Sequence, residues 1–335
     1  MPYRAKHYVV GAVAVTMLAG LSATTAQAAP DRSTCSWTVR TLPPAPGFAQ
    51  SLSYGTDHGS HVFGMATNDS GITESPAVWN IDGNSPPRLL GSAHGSPTRI
   101  MGLNAAGVAA GYYRDSTGAH AVRYVNGAYQ DLPVPAGTSY AEAVDINAGG
   151  DIVGTVDNTS IIVWPADKPG TYTLLPRAAG DNDEATGIDN ARNVVGIVAQ
   201  GDKLAGYIWN AAGRATALPA AEADAWVDPV GIRNGRVIAT EKGFSNDSAV
   251  VYDLTGRPQW RLAQHYAESM NAAGLVSGFH GVPDGAIQRL LRNGKVVAPL
   301  PSEQGFGATG WPSALTDSGW LAGDIDSHVT VARCS

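Results

Sequence analysis

The stretch Ala143 to Val156, AVDINAGGDIVGTV, returns in variant form along the chain, and this repetition narrows the fold more than any other feature. Each copy reads as a strand, a tight turn and a second strand. The turn needs positive φ, which Gly107, Gly150, Gly274 and Gly319 supply, while Asn104, Asn147, Asp189 and Asn271 are expected to bond their own turn backbone. Aligned on the residue that ends each second strand, the copies fall at Gly64, Gly111, Gly154, Gly196, Ala239, Gly278 and Gly323, spaced by 39 to 47 residues. The first copy has an extra turn residue and the fifth, from Ile232, lacks one.

Each copy is followed by a β-branched or aromatic strand (AVWNI at Ala77, IIVW at Ile161, GYIWN at Gly206) and then a short strand carrying leucine and often proline (QDLP at Gln130, TALP at Thr216). Four strands per unit and seven units follow, but only six fourth strands come after their third strands. The seventh is supplied by Trp37 to Pro43, WTVRTLP, which precedes the first hairpin. This predicts an all-β, seven-bladed β-propeller with four antiparallel strands per blade, its last blade closed by the N-terminal strand. The two cysteines, Cys35 and Cys334, then meet at the seam as a disulfide, which an open solenoid would hold apart. In the loop-entropy model such a crosslink stabilises by roughly 4 to 5 kcal/mol. The third-strand aromatics Trp79, Tyr124, Trp164, Trp209 and Tyr252 are expected to pack between blades.

Residues 1–28 carry Arg4 and Lys6, an apolar run from Tyr8 to Leu21, and the triplet Ala26, Gln27, Ala28, the pattern of a secretory signal peptide cut after Ala28. The expected product is a secreted, extracellular, monomeric domain over 29–335, with no membrane insertion. Loss of Arg4 and Lys6, with no Asp or Glu in the excised piece, takes the formal charge from -7 to -9 and disfavours nucleic acid. Sequons at Asn68, Asn158 and Asn246 read as ordinary loop chemistry. No phosphate loop, dinucleotide fingerprint, HExxH helix or GxSxG elbow occurs. No cofactor or metal site is read from the residues, calcium at the turn asparagines being the alternative role for those positions.

Units such as INAGGDIVGTV, together with AHAVRY at Ala119 to Tyr124, resemble the HAF-type extracellular repeats of secreted bacterial proteins. The resemblance covers nearly all of the mature chain and implies a propeller-like fold and an exported product. It carries no common activity. The His-Ala pair of the name occurs once, at His120 and Ala121.

Function therefore rests on the residues at one face. Four positions before the hairpin residues Leu103, Ile146, Ile188, Ile232, Met270 and Leu315 stand Arg99, Glu142, Glu184, Asp228, Tyr266 and Trp311, with Ser51 equivalent in the first copy. His265, Trp226 and Glu268 lie nearby. If the inner strands converge on the axis, this mouth suits a sugar, aromatic faces stacking on pyranose rings while carboxylates and Arg bond hydroxyls or acidic groups. The expectation is a binding module for an extracellular glycan or a protein partner. The alternative is a carbohydrate-active enzyme, a glycoside hydrolase using Glu142, Glu184 and Asp228 or a polysaccharide lyase using Tyr266, His265 and Arg99.

Overall fold

The computed structural model describes residues 36–334 except 69–72, 179, 181, 202, 244–246, 283–284 and 301–313. Segment 1–28, Cys35, Asn246 and Trp311 lie outside the described residues. The described chain forms seven four-stranded antiparallel sheets. Their inner strands are Gln50–Thr56, Thr98–Leu103, Ala141–Ile146, Asn182–Ile188, Trp226–Arg233, His265–Met270 and Ala314–Leu315. Six sheets run inner to outer in chain order, and the seventh takes Trp37–Thr41 as its outer strand. That strand pairs antiparallel with His328–Cys334, placing Trp37 opposite Cys334 and Thr41 opposite Thr330.

The core is a circle of separate apolar clusters, one at each junction of neighbouring blades. The one that closes the circle combines Leu42, Val62 and Trp79 at the start of the chain with Ala322, Val329 and Val331 at its end. Sheets that each bury both faces against neighbours leave only outer strands as edges, which is how a propeller controls edge pairing.

Three recurrent polar contacts rivet one blade to the next. Asn104 Nδ2 donates to the Asn147 carbonyl (3.3 Å), Asn147 Nδ2 to the Asp189 carbonyl (3.0 Å) and Asn271 Nδ2 to the Thr316 carbonyl (3.4 Å). The same asparagines cap their own turns: Asn104 Oδ1 accepts from the Ala106 and Val108 amides. In the second strands, Thr155 and Thr240 accept from the Ala185 and Ala267 amides of the following blade, both at 3.1 Å. Third-strand aromatics supply the third rivet. Trp79, Trp164 and Trp209 donate their indole N–H, and Tyr252 its hydroxyl, to the carbonyls of Pro43, Pro133, Pro176 and Pro219. Each proline follows the preceding blade's outer strand, which explains why a leucine-proline pair recurs there.

The aligned glycine does not end the second strand as expected but lies inside it, with two to four residues of strand beyond it, and there it is required by close approach. The inner strand slips register by one residue opposite it, bulging at Tyr54, Met101, Val144, Thr186, Val230 and Glu268. The bulge presses a carbonyl onto the glycine: a Cβ at Gly111 would lie 1.9 Å from the Arg99 oxygen, and one at Gly154 2.1 Å from the Glu142 oxygen. Ala239 stands at this place in the fifth blade, where it faces Pro229.

One buried carboxyl at the corresponding rivet position makes stability depend on pH. Asp324, fully buried in the strand Trp320–Ile325, has its carboxyl pushed up to about 6 by burial. A raised folded-state pKa means this group's contribution is fully present below the ordinary carboxylate range near 4 and is lost as pH rises through about 6. Asp324→Asn is therefore expected to exceed the wild type by ~1–3 kcal/mol at about pH 7.5 and to match it near pH 4 in urea denaturation. An equal difference at both pH values would contradict this.

Candidate binding face and axial channel

The inner strands do converge on the axis, but the residues that line the channel are not those selected by counting four back from the hairpin. A cavity of about 190 Å³ takes its walls from the bulge residues Tyr54, Met101, Val144, Thr186, Val230 and Glu268, two positions nearer the hairpin. Toward the hairpin turns it continues into a second cavity of about 220 Å³ that shares His58, Asp145 and Arg233. Among the expected site residues only Glu268 lines either.

Arg99, Glu142, Glu184, Asp228 and Tyr266 instead stand on the rim toward the entry end of the inner strands, where they pair with Tyr112, Thr155, Ile197, Thr240 and Phe279 of their second strands. Arg99 is exposed, lies opposite Tyr112 in the sheet, and has no ion pair among the described residues. Its charge acts on the phenols of Tyr54 and Tyr112, both of which burial raises. Glu142 bonds the Arg114 guanidinium at 2.7 Å. Arg114 in turn lies over the rings of Tyr112 and Tyr140, 5.2 and 5.8 Å from their centroids. The next carboxyl, Glu184, is raised first by its protein surroundings and then by the charge of Glu142. The first three blades and the fourth thus bring three tyrosines, two arginines and two carboxylates onto one face.

The opposite part of the rim is a separate group. Asp228 is raised by burial, against which Lys242 acts. Lys242 sits 4.3 Å from the centroid of Tyr266, whose ring stacks on Phe279 at 4.4 Å, and 3.7 Å from Asp247. A hydrogen bond to Asp247 pushes the Tyr266 hydroxyl up to about 12. Trp226, opposite Lys242 in the register, is half-buried there.

Two expected residues are scaffold. Ser51 is buried and its Oγ accepts from the Val329 amide at 3.0 Å, fastening the first blade to the seventh. His265 is buried, donates from Nδ1 to the Ala263 carbonyl at 2.9 Å, and is lowered by burial. Among the described residues no three His, Cys, Asp or Glu side chains are grouped to hold a metal ion.

Sequence reasoning missed Tyr112, Arg114 and Tyr140, which reach the rim from second-strand ends and from the loop before an inner strand. It also missed the group at the channel floor. There Arg233 forms an ion pair with Asp317, and Asp317 also accepts from the Ala272 amide at 2.8 Å. His58, beside them, is lowered to about 4 by burial and by Arg233, so it is neutral near pH 7. Asp145 accepts from the amides of Ile146 (2.7 Å) and of Ile188 in the next blade (2.9 Å), and burial raises its carboxyl to about 6.

No protein-family model matches the chain, and no curated protein matches it. Among solved structures, selenomethionine-substituted virginiamycin B lyase from Staphylococcus aureus is similar, with a TM-score of 0.57 at 10% identity over 89% of this chain and 99% of that one. A catalytically inactive variant of virginiamycin B lyase from the same organism, with quinupristin, gives 0.56 at 11% identity over the same shares. YCF48 bound to D1 peptide gives 0.52 at 10% identity, over 89% of this chain and 96% of that one. At such identities the likeness is one of fold: the chain is a seven-bladed β-propeller, an architecture shared by proteins of different activity.

Proposed function

We propose that this protein is a secreted binding module of the HAF-type repeat kind, recognising an extracellular glycan or a protein partner through the tyrosine-arginine rim of the first four blades. The observation that carries the reading is Arg99, an exposed guanidinium with no ion pair among the described residues, set against Tyr112 and followed by the Arg114–Glu142 pair and Glu184. Half-buried tyrosine rings beside a guanidinium and carboxylates offer ring edges and hydrogen-bond partners for hydroxyls or a ligand carboxylate.

Export and closure by a Cys35–Cys334 disulfide belong to the same proposal. In support, Cys334 is no free thiol and faces Trp37, and Cys35 precedes Trp37 by two residues, a chain reach of roughly 7 Å.

A catalytic use of the rim is favoured by one observation: Glu184 is raised partly by Glu142, while Glu142 is paired with Arg114, an asymmetry that suits an acid and a base. One experiment separates these readings. On a glycan array Arg99→Ala is expected to weaken binding about tenfold, the loss of one charge-assisted contact. Glu142→Gln with Glu184→Gln should then reduce binding without any turnover to lose in reducing-sugar and unsaturated-uronate assays. Binding unaffected by all three substitutions would retire the rim as the site, and turnover abolished by the glutamine pair would make it an active site.

A further inference from the structure

The inner strands present two tiers to the axis. Along them buried and less buried residues alternate: Ile100, Ala143 and Ala185 are buried between Arg99 and Met101, Glu142 and Val144, and Glu184 and Thr186. The second residue of each pair lines the cavity, so the first, two positions back on the same strand face, looks toward the same axis roughly 7 Å nearer the entry end.

The tiers differ in chemistry. The inner one is a collar of Tyr54, Met101, Val144, Thr186 and Val230 with Glu268, and Met101 is 41% exposed in a wall around about 190 Å³. A large apolar side chain kept in a cavity wall rather than in the core offers a hydrocarbon surface to whatever enters. Glu268, the collar's acidic member, is held by the Gln288 amide. At the rim, Arg114 is paired with Glu142 and Lys242 with Asp247, which leaves Arg99 exposed and without an acidic partner among the described residues. A free guanidinium is matched by a carboxylate, which it holds through two parallel hydrogen bonds. Beyond the collar, Asp145 and Asp317 line the channel and repel such a group. An anion is therefore kept at the rim end while an apolar group enters the collar.

We propose that rim and collar together bind an apolar carboxylate, its carboxylate on Arg99 and a branched aliphatic or aromatic group beside Met101, Val144 and Val230. This rests on the rim as the binding face and adds what that face selects. The same chemistry is carried by a free acid and by an apolar residue at the C-terminus of another chain.

The test is methyl NMR on the intact protein labelled at methionine. Met101 lines the cavity, whereas Met65, buried in the first blade, lies outside it and serves as reference. The probes are 4-methylpentanoate, its amide, acetate, D-glucuronate and the peptide acetyl-Gly-Gly-Leu. Both 4-methylpentanoate and the peptide should move the Met101 methyl saturably and leave Met65 unmoved. The tighter of the two names the source, free acid or chain end. The amide should bind about tenfold more weakly for want of its charge, and acetate and glucuronate about tenfold more weakly for want of an apolar group. Arg99→Ala should weaken 4-methylpentanoate about tenfold and Arg99→Lys about threefold. Val230→Thr, which exchanges a collar methyl for a hydroxyl, should weaken it about threefold. A Met101 methyl unmoved by both carboxylates, equal affinity for acid and amide, or wild-type affinity in Arg99→Ala would overturn the proposal. Glycan-array binding that still depends on Arg99 beside an unmoved Met101 methyl would overturn this ligand class and leave the rim standing. Array binding indifferent to Arg99, with the Met101 shift weakened in Arg99→Ala, would support the ligand class and remove the glycan.

Discussion

Gly154→Ala is expected to destabilise the protein by at least about 3 kcal/mol, read from urea denaturation at neutral pH. The added methyl would sit 2.1 Å from the Glu142 carbonyl oxygen and 2.8 Å from the Trp164 ring, and neither yields cheaply. The carbonyl belongs to an inner strand whose bulge fixes its position, and the indole is buried and bonded to the preceding blade. The reverse change in the fifth blade, Ala239→Gly, should cost only about 1–2 kcal/mol, because the backbone there already accepts a Cβ and the losses are conformational entropy and one buried methyl. Similar costs for the two changes would show that the bulge does not press on the second strand.

Trp164→Ala is the second large effect, about 3–5 kcal/mol. Its ring is 3% exposed within the cluster of Ala110, Leu132, Ala143, Ile152 and Ile162 that joins the second and third blades, and its indole donates to the Pro133 carbonyl at 2.6 Å. Trp164→Phe separates the two contributions: it keeps most of the packing and strands the proline carbonyl, and should cost about 1–2 kcal/mol. A phenylalanine variant as stable as the wild type would remove the hydrogen bond from the account of blade-to-blade cohesion.

These two sites show what was legible in the sequence and what was not. Blade number and ring closure follow from local patterns, the turn glycines and the alternation of INAGGDIVG, and the observed sheets agree, including the outer strand lent by Trp37–Thr41. Packing of Trp79, Trp164 and Trp209 between blades was also legible, since large apolar rings recur at one position; the prolines that accept their N–H groups were seen only as a composition habit. Arg99, Glu142 and Glu184, picked out by their spacing, stand on the rim and not in the channel, and their neighbours Tyr112, Arg114 and Tyr140 come from other segments and share no spacing with them.

The channel was missed because a one-residue bulge leaves little trace in sequence. The available signal was the glycine just past it, at Gly55, Gly102, Gly187 and Gly231; at the first three a neighbouring inner strand or ring comes close, and a Cβ at Gly102 would lie 3.0 Å from the Ile146 nitrogen. Where that glycine is replaced, the substitute reaches across: Asp145 to the Ile188 amide and Ser269 to the Leu315 amide. A ring that depends on such contacts at every junction has no weak seam unless the ends fail to meet.

Closure is therefore the claim to test most directly, by hydrogen-exchange mass spectrometry on the intact chain. The peptide covering Trp37 to Leu42 should be protected together with its partner His328–Cys334, since the strand is paired along its length and Leu42, 2% exposed, donates its amide to the Val329 carbonyl at 2.9 Å. Complete exchange of that peptide at the earliest time point, with the other blades still protected, would contradict a ring completed by its two ends.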